Sequence, residues 1–458
     1  MNDHRPSTRV RTLTTLLCAA ACAAPLVAQG RDSLPQRITF ADAVRIALQQ
    51  NITLRQAENT RSLSAVSVTQ QRNALLPNLA LTANTSENVG QSFSQTEGRL
   101  INQQSQALQT GVSSSVTLFN GFQNLSQLKQ ARFGESASAS DLARARQTVV
   151  FTVASNFLSL VTLQEQQAVQ DSNFVAQQAQ LVQVQALVSA GRRSVADLYQ
   201  QQAAVALARS QVVTAVRAVE LAKVDLIQTL QLDPRGSFTF ATPAVDSGAV
   251  SPALTLGGLL TSAFAERSDL AAAKLRVDAA TEALSVSKST RWPQVGLNLG
   301  YNTAYSSLTA ASFATQLDQR KGGSIGLSVS VPLFDRGAAK VATQQAEIQL
   351  ANARLTTDLR RQTVALEVRR AFLDYQSALE QINATRAQKE ASDLALNAVQ
   401  ERYRVGAATL AELSLARAAQ VSAASALVNA RYTLVFQQSL MSYYTGTLDP
   451  ASVSFGRS

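Results

Sequence analysis

Four segments of the chain alternate apolar residues with small polar ones, the period of two that is typical of β-strands. They lie at about 78–92, 104–119, 293–308 and 322–334. In the third segment the intervening residues are mostly Gly and Asn, and the apolar face consists of Val295, Leu297, Leu299, Tyr301, Thr303 and Tyr305. Strands with one apolar and one uncharged polar face are typical of membrane barrels, with lipid outside and water inside. The pattern favours membrane strands over a hairpin on a soluble core.

Long helices are predicted after each pair of strands. Residues 122–189 and 338–404 contain no Pro and repeat apolar residues at intervals of three and four. At 1.5 Å per residue, each helix would be roughly 100 Å long. A further helix follows each of them, at 194–230 and 409–445. The predicted fold class is therefore mainly α with membrane β, built from long antiparallel coiled-coil helices and four strands in each chain.

The chain is an internal duplication. A shift of 215 residues places Gly191 on Gly406, and also places Leu118-Phe119-Asn120 on Leu333-Phe334-Asp335. Each copy opens with a shorter helix, predicted at 40–75 and 256–290, that ends before a Pro. We interpret the chain as one fold unit made twice, with four parts in order: a first repeat at 38–232, a linker at 233–255, a second repeat at 256–448 and a tail at 449–458.

The N-terminus has the pattern of an export signal. Three Arg residues precede an apolar run from Leu13 to Val27 that is too short for a permanent membrane helix. We expect residues 1–28 to be a signal peptide that is cleaved after Ala28. Lipidation of Cys22 remains an alternative. No later segment has about 18 consecutive apolar residues, so we expect any membrane insertion to use the strands.

Composition excludes most kinds of chemical site. The chain has one His and two Cys, all of which lie in the expected signal peptide, whereas a structural zinc site needs about four such ligands. No phosphate-binding loop of the form GxxxxGK[ST] occurs. The formal charge is +10, but the basic residues are scattered without interleaved aromatics, which disfavours nucleic-acid binding. We therefore expect no catalytic residues, no metal and no cofactor.

The number of strands predicts an assembly. About eight strands is the smallest number that closes a barrel, and unpaired edges are not tolerated in lipid. A chain with four strands must therefore borrow strands from other subunits to close a barrel in outer-membrane lipid, and three copies would supply twelve. Aromatic residues gather at the membrane surfaces of such barrels, and the candidates for this position are Trp292, Tyr301 and Tyr305.

The duplication, the two Leu-Phe-Asn/Asp motifs and the turns around Gly191 and Gly406 occur in the same order in both halves. On these residues the chain resembles the outer membrane efflux protein family, the TolC family of exit ducts. The resemblance implies a trimer whose twelve-stranded outer-membrane barrel continues into a periplasmic α-helical barrel. It also implies a passive duct that works with a periplasmic adaptor protein and an inner-membrane pump of the RND or ABC type.

The resemblance also implies roles for residues near the turns. Hairpin tips that face the adaptor would comprise Gly191, Arg192, Arg193, Ser194, Gly406, Ala407, Ala408 and Thr409. A periplasmic gate would comprise Asp197, Tyr403, Arg404 and Glu412. Ala408 stands where the family has an Arg of the gate, and Arg404, Arg192 or Arg193 are the candidates to replace it. Independently of the resemblance, Ser194 and Thr409 are predicted to cap the following helices, and Asp197 and Glu412, three residues later, to complete a capping box.

Two other functions remain open at this point. An autonomous diffusion porin would explain the strands, but four strands are few and the helices are long. A periplasmic coiled-coil protein would explain the helices but leaves the four amphipathic strands without a role. The sequence does not name the transported substrate or the class of pump.

Overall fold

The computed structural model describes residues 37–94, 98–241 and 254–448. The expected signal peptide with Cys22, most of the linker and the tail at 449–458 lie outside these ranges. Within them the helices are α1 Phe40–Gln50, α2 Ile52–Asn73, α3 Gln123–Ser189, α4 Val195–Leu230, α5 Leu256–Glu266, α6 Ser268–Ser289, α7 Phe313–Gln319, α8 Ala338–Arg404 and α9 Leu410–Thr445. The strands are β1 Arg37–Ile38, β2 Ala80–Ser94, β3 Arg99–Phe119, β4 Thr239–Phe240, β5 Gln294–Ser306 and β6 Gly322–Ser330.

The four long helices dominate the molecule. Helices α3 and α8 have 67 residues each, and α4 and α9 have 36 each. Helix α3 packs against α4, and α8 packs against α9, so that each repeat forms a helical hairpin. Helix α9 also packs against α3, which joins the two repeats. The starts and ends of these helices lie within one residue of the predicted ones.

The shorter helices are broken, whereas the sequence predicted two continuous ones at 40–75 and 256–290. In the first repeat, the Asn51 side chain accepts a hydrogen bond from the Leu54 N–H and starts a new helix there. In the second repeat, the break falls at Arg267, whose side chain turns to Asp269. The first helix starts as predicted from its acidic first turn, with a capping box between Thr39 and Asp42.

The large sheet is entirely antiparallel, with the strand order β2-β3-β5-β6. Its register aligns Leu81 with Val112 and Val112 with Tyr301, so apolar residues of successive strands share one face. That face is uncovered in the single chain, and its exposed members include Leu79, Leu81, Val112, Leu299, Tyr301, Ile325, Leu327 and Val329. Strands β2 and β6 are the two edges.

Strand bounds differ from the prediction at two places. Strand β3 begins at Arg99 rather than near 104, and β6 ends at Ser330, so that Leu333 and Phe334 lie beyond it. Helix α7, which was not predicted, occupies the β5–β6 connection. It is held by Gln316, which is buried and donates to the carbonyl oxygens of Ser306, the last residue of β5, and of the loop residues Thr309 and Ala311.

The hydrophobic core lies where the repeats meet the linker. Strand β1 pairs in parallel with β4, which ties the start of the first repeat to the linker. Ile38, Phe157 and Phe240 belong to one buried cluster there, and Phe157 contacts Phe240 edge-on at 6.4 Å between ring centroids. A second buried cluster around Val368 and Ala371 forms the corresponding core of the second repeat. In the described ranges, none of the helices is both long and apolar enough to span a bilayer.

Candidate functional site: the hairpin tips and a buried ion cluster

Each long hairpin turns at a glycine with left-handed backbone. Gly191 has φ +64° and Gly406 has φ +84°, a region that residues with a Cβ rarely adopt. The turns close with matching hydrogen bonds, from Arg192 N to Leu187 O at 2.8 Å and from Ala407 N to Arg402 O at 2.8 Å. These are the bonds of a Schellman motif, which satisfies the last carbonyl oxygens of a helix.

The helices that follow the turns are capped at the predicted residues. Ser194 Oγ accepts from the Asp197 N–H at 3.2 Å, and Thr409 Oγ1 accepts from the Glu412 N–H at 3.2 Å. Thr409 also donates to Glu412 Oε1 at 3.2 Å. Each cap satisfies one free N–H of the first helical turn, so local chemistry explains Ser194 and Thr409. Among the described contacts, neither the Asp197 nor the Glu412 side chain bonds the backbone N–H of its cap residue, so the predicted capping boxes are only half formed.

A small hydrophobic core joins the two tips. Its buried members are Val184, Tyr403, Ala408, Leu410 and Leu413, so it contains residues of α3 and of the second hairpin. Burial raises the pKa of the Tyr403 hydroxyl. Ala408 contributes a small, buried side chain to this core.

Arg193 of the first tip contacts two residues of the second tip. Its guanidinium lies 4.6 Å from the centroid of the Tyr403 ring, and its Nη2 donates to the Ala408 carbonyl oxygen at 3.2 Å. Arg193 is half-buried by these contacts, while Arg192 is exposed. The two neighbours, which the resemblance assigned together to the adaptor-facing tip, therefore have different surroundings.

Two arginines near the second tip, Arg402 and Arg404, form ion pairs. Arg404 Nε lies 2.9 Å from Glu401 Oε2, and both side chains are exposed. Arg402 Nη2 lies 3.5 Å from Glu412 Oε2. Sequence reasoning missed Arg402, although its position ten residues before Glu412 across a tight turn was a usable signal.

The three sheet aromatics lie at two levels of the strands. Trp292, 58% exposed, precedes β5, and Tyr301, 55% exposed, is nine residues further along the chain. Nine residues of strand are about 30 Å long. A tilted strand of about this length crosses the hydrocarbon core of a bilayer. Tyr305 packs on Phe313 of α7 at 5.0 Å between ring centroids. A Cβ on Gly121 would lie 2.6 Å from the Trp292 Cβ, so this turn needs glycine.

A buried ion cluster that sequence reasoning missed lies where α3, α6 and α8 meet. Asp269, whose side chain is 8% exposed, pairs with Arg267 at 2.6 Å, with Arg360, and with Arg144 at 3.9 Å. Arg267, 1% exposed, also pairs with Glu367. The Arg144 guanidinium lies 3.8 Å from the Tyr443 ring centroid and donates to the Tyr443 carbonyl oxygen at 2.9 Å.

The charge balance of this cluster depends on Asp269. Burial alone would raise the pKa of Asp269, but the hydrogen bonds and charge of Arg267, together with Arg144 and Arg360, lower it to about 2. The carboxylate is thus ionised at any physiological pH. It holds three arginines, from α3, from α8 and from the junction between α5 and α6, which makes the cluster a structural connection between the repeats. In the part of the chain that the structure describes, no group of His, Cys, Asp and Glu has the arrangement of a metal site.

The family model described as outer membrane efflux protein matches residues 43–230 and 259–444, one segment in each repeat. The chain belongs to this family. It is 25% identical to the outer membrane efflux protein BepC of Brucella suis over 341 residues, which cover 74% of this chain and 72% of BepC. It is 26% identical to TolC of Escherichia coli over 200 residues, which cover 42% of this chain and 41% of TolC.

Among solved structures, the outer membrane protein VceC of Vibrio cholerae has the same fold. It superposes with a TM-score of 0.78 at 18% identity, covering 89% of this chain and 96% of that chain. This efflux protein is accordingly a channel of the cell outer membrane that extends into the periplasm. The family consists of passive channels. We therefore interpret the charged residues of the tips in terms of ion conduction, and those of the buried cluster in terms of protein stability.

Proposed function

We propose that three copies of this efflux protein assemble into the exit duct of a tripartite efflux or secretion system. The twelve strands would form one outer-membrane barrel, and the long helices would form a periplasmic α-barrel. A periplasmic adaptor would contact the hairpin tips, and an inner-membrane pump would supply the energy. The duct itself would conduct passively.

The observation that carries this proposal is the uncovered apolar face of the four-stranded sheet. Ile325 is 80% exposed, Leu79 78% and Leu81 76%, although they share one face of a sheet with two free edges. Water disfavours so much contiguous apolar surface, and lipid disfavours free edges. Both problems are solved when lipid covers the face and a neighbouring chain pairs with each edge.

The direction of the strands supports closure with copies of the same chain. The sheet has an even number of antiparallel strands, so β6 of one copy and β2 of the next run in opposite directions. Each new pair is therefore antiparallel, like the pairs within the chain. A porin that works as a single chain would leave both edges open, and a coiled-coil rod would leave the apolar face in water.

Disulfide cross-linking tests the trimer. Within one chain β2 and β6 are separated by two strands, or about 14 Å, which is too far for a disulfide. Cysteines placed on β2 (Ala80, Thr82 or Asn84) and on β6 (Ser324 or Ser328) are therefore expected to link different chains. Oxidation of outer membranes should give dimer and trimer bands on a denaturing, non-reducing gel.

The matched control is a cysteine pair at Asn298 and Gly326, which face each other within one chain. This pair should form a disulfide within one chain, so the protein should still run as a monomer on the gel. The native Cys18 and Cys22 both lie in the expected signal peptide. Monomer bands for all six edge pairs, with an oxidised control, would contradict the trimer.

The charge at the proposed gate predicts ion preference. Three Glu412 carboxylates around one opening would attract cations, while Arg402, 3.5 Å from each carboxylate, offsets part of that charge. Glu412→Gln is expected to lower cation preference and Arg402→Ala to raise it. Reversal potentials of single channels in a KCl gradient measure both, and equal values in all three proteins would remove Glu412 from the gate.

A further inference from the structure

A cavity of about 430 Å³ lies between the two repeats, beside the tip core, against which its lining residue Leu396 also packs. It shares no lining residue with the buried ion cluster. Helix α3 contributes Ala168, Ser172 and Ala176, which are spaced four residues apart and are small enough to leave room. Helix α8 contributes Leu396 and Gln400, and α9 completes the wall. The volume falls within the usual range for pockets that bind small molecules.

Arg417 of α9 lines this cavity and is 93% buried, since only 7% of its surface is exposed. Its Nη1 atom is buried and has no hydrogen-bond partner within the described ranges. No carboxylate of those ranges lies within 4 Å of the guanidinium, whereas the other buried arginine, Arg267, has two carboxylate partners. Burial accordingly lowers the pKa of Arg417.

The acidic residues nearest to the cavity do not balance this charge. Asp393 of α8 is held by Lys389 and accepts from Gln420 Nε2 at 3.0 Å. Glu165 contributes to the cavity wall from α3, without reaching the guanidinium. A buried guanidinium without a counter-charge costs several kcal/mol. A charge that is retained at such cost and that borders a cavity indicates a ligand of opposite charge.

The duplication shows that this feature belongs to one repeat only. The shift of 215 residues places Arg417 on Gln202 of α4, which is exposed. Helix α9 packs against α3, which places Arg417 in the interface between the repeats. Among the described residues, α4 makes no contact of similar extent with α8. The helical hairpin therefore does not need a cation at this position.

We propose that this cavity binds one small oxyanion per chain, a phosphate or a carboxylate, through the guanidinium of Arg417. The guanidinium presents its donors in a fork that matches both kinds of anion. The Gln400 amide, which also lines the cavity, supplies a further donor. The site adds an anion-dependent contact between the repeats that conduction alone does not require.

Calorimetric titration of the detergent-solubilised full-length channel tests the proposal. Sodium phosphate and, separately, sodium succinate are titrated at constant ionic strength set with chloride. We expect saturable binding of at least one of them, with one site per chain. Arg417→Gln, which installs the residue of the first repeat, should weaken binding about 10- to 100-fold, because a hydrogen bond to a charged group contributes about 1.5–3 kcal/mol.

Arg209→Gln is the matched control, because it removes the same charge from an exposed position on α4 and should leave binding unchanged. Arg417→Lys keeps the charge but loses the fork, and it should weaken binding even where the Gln variant does not fold. Saturable binding of neither anion would overturn the proposal. So would equal binding by the wild-type protein and both Arg417 variants.

Discussion

Replacing Arg193 with alanine is expected to raise the time-averaged conductance of single channels. The Arg193 side chain lies 4.6 Å from the Tyr403 ring centroid and donates to the Ala408 carbonyl oxygen, so it holds the first hairpin tip against the second. A cation–π contact and a charged hydrogen bond together contribute about 2–3 kcal/mol. If these contacts form only in the closed state, their loss shifts the ratio of open to closed channels by roughly 30- to 150-fold.

Planar-bilayer recordings measure this shift as a rise in open probability. Arg192→Ala is the matched control, because it removes the same charge from the adjacent, exposed residue and should leave the recordings unchanged. Tyr403→Leu should resemble Arg193→Ala, since it removes the aromatic partner and keeps an apolar side chain in the tip core. Equal open probabilities in Arg193→Ala and Arg192→Ala would show that Arg193 does not hold the gate.

Replacing Asp269 with asparagine is expected to destabilise the protein by about 3–5 kcal/mol, the usual cost of removing one partner of a buried ion pair. The change would leave Arg267, Arg360 and Arg144 without their shared carboxylate. Urea unfolding of the solubilised protein, followed by helical circular dichroism, measures the loss.

Asp141→Asn is the matched control for this variant. Asp141 pairs with Arg276 at the surface, where both side chains are about half exposed, and such pairs contribute only about 0–1 kcal/mol. A similar, small loss of stability in both variants would show that the buried cluster is not a structural connection.

The same carboxylate predicts acid sensitivity. Its pKa falls from an ordinary 3.8 to about 2 in the folded protein, so the ionised form stabilises the fold by about 2 kcal/mol. Because the folded pKa is the lower one, this contribution is complete above about pH 4 and is lost as the pH falls from about 4 to 2. Asp269→Asn should lose that part of the pH dependence and keep the remainder.

Features that depend on neighbouring residues were predicted well. The left-handed turns follow from Gly191 and Gly406, and the caps follow from Ser194 and Thr409, because each involves residues within about one helical turn. The breaks at Asn51 and Arg267 were missed for a related reason. A polar residue inside a helical pattern is normally interpreted as a surface position of a continuous helix. Only the structure shows that the Asn51 and Arg267 side chains bond residues at the start of the next helix.

The charged sites could not be read from the sequence in the same way. Arg267 and Glu367 are 100 residues apart, and Arg193 and Ala408 are 215 apart, so no local pattern connects them. The sequence does not distinguish a buried arginine from an exposed one, because the packing of the long helices determines which arginines are buried. Burial differs even between corresponding positions of the two repeats, since Arg417 is buried and Gln202 is exposed.

The sequence by itself determined the class of structure. Periods of two and of three to four, repeated after 215 residues, specify strands and helices because burial of one face selects the period. Only the tertiary structure decided which charges meet, because helices about 100 Å long bring together residues from distant parts of the chain. The tip contacts of Arg193, the Asp269 cluster and the Arg417 cavity all depend on that packing.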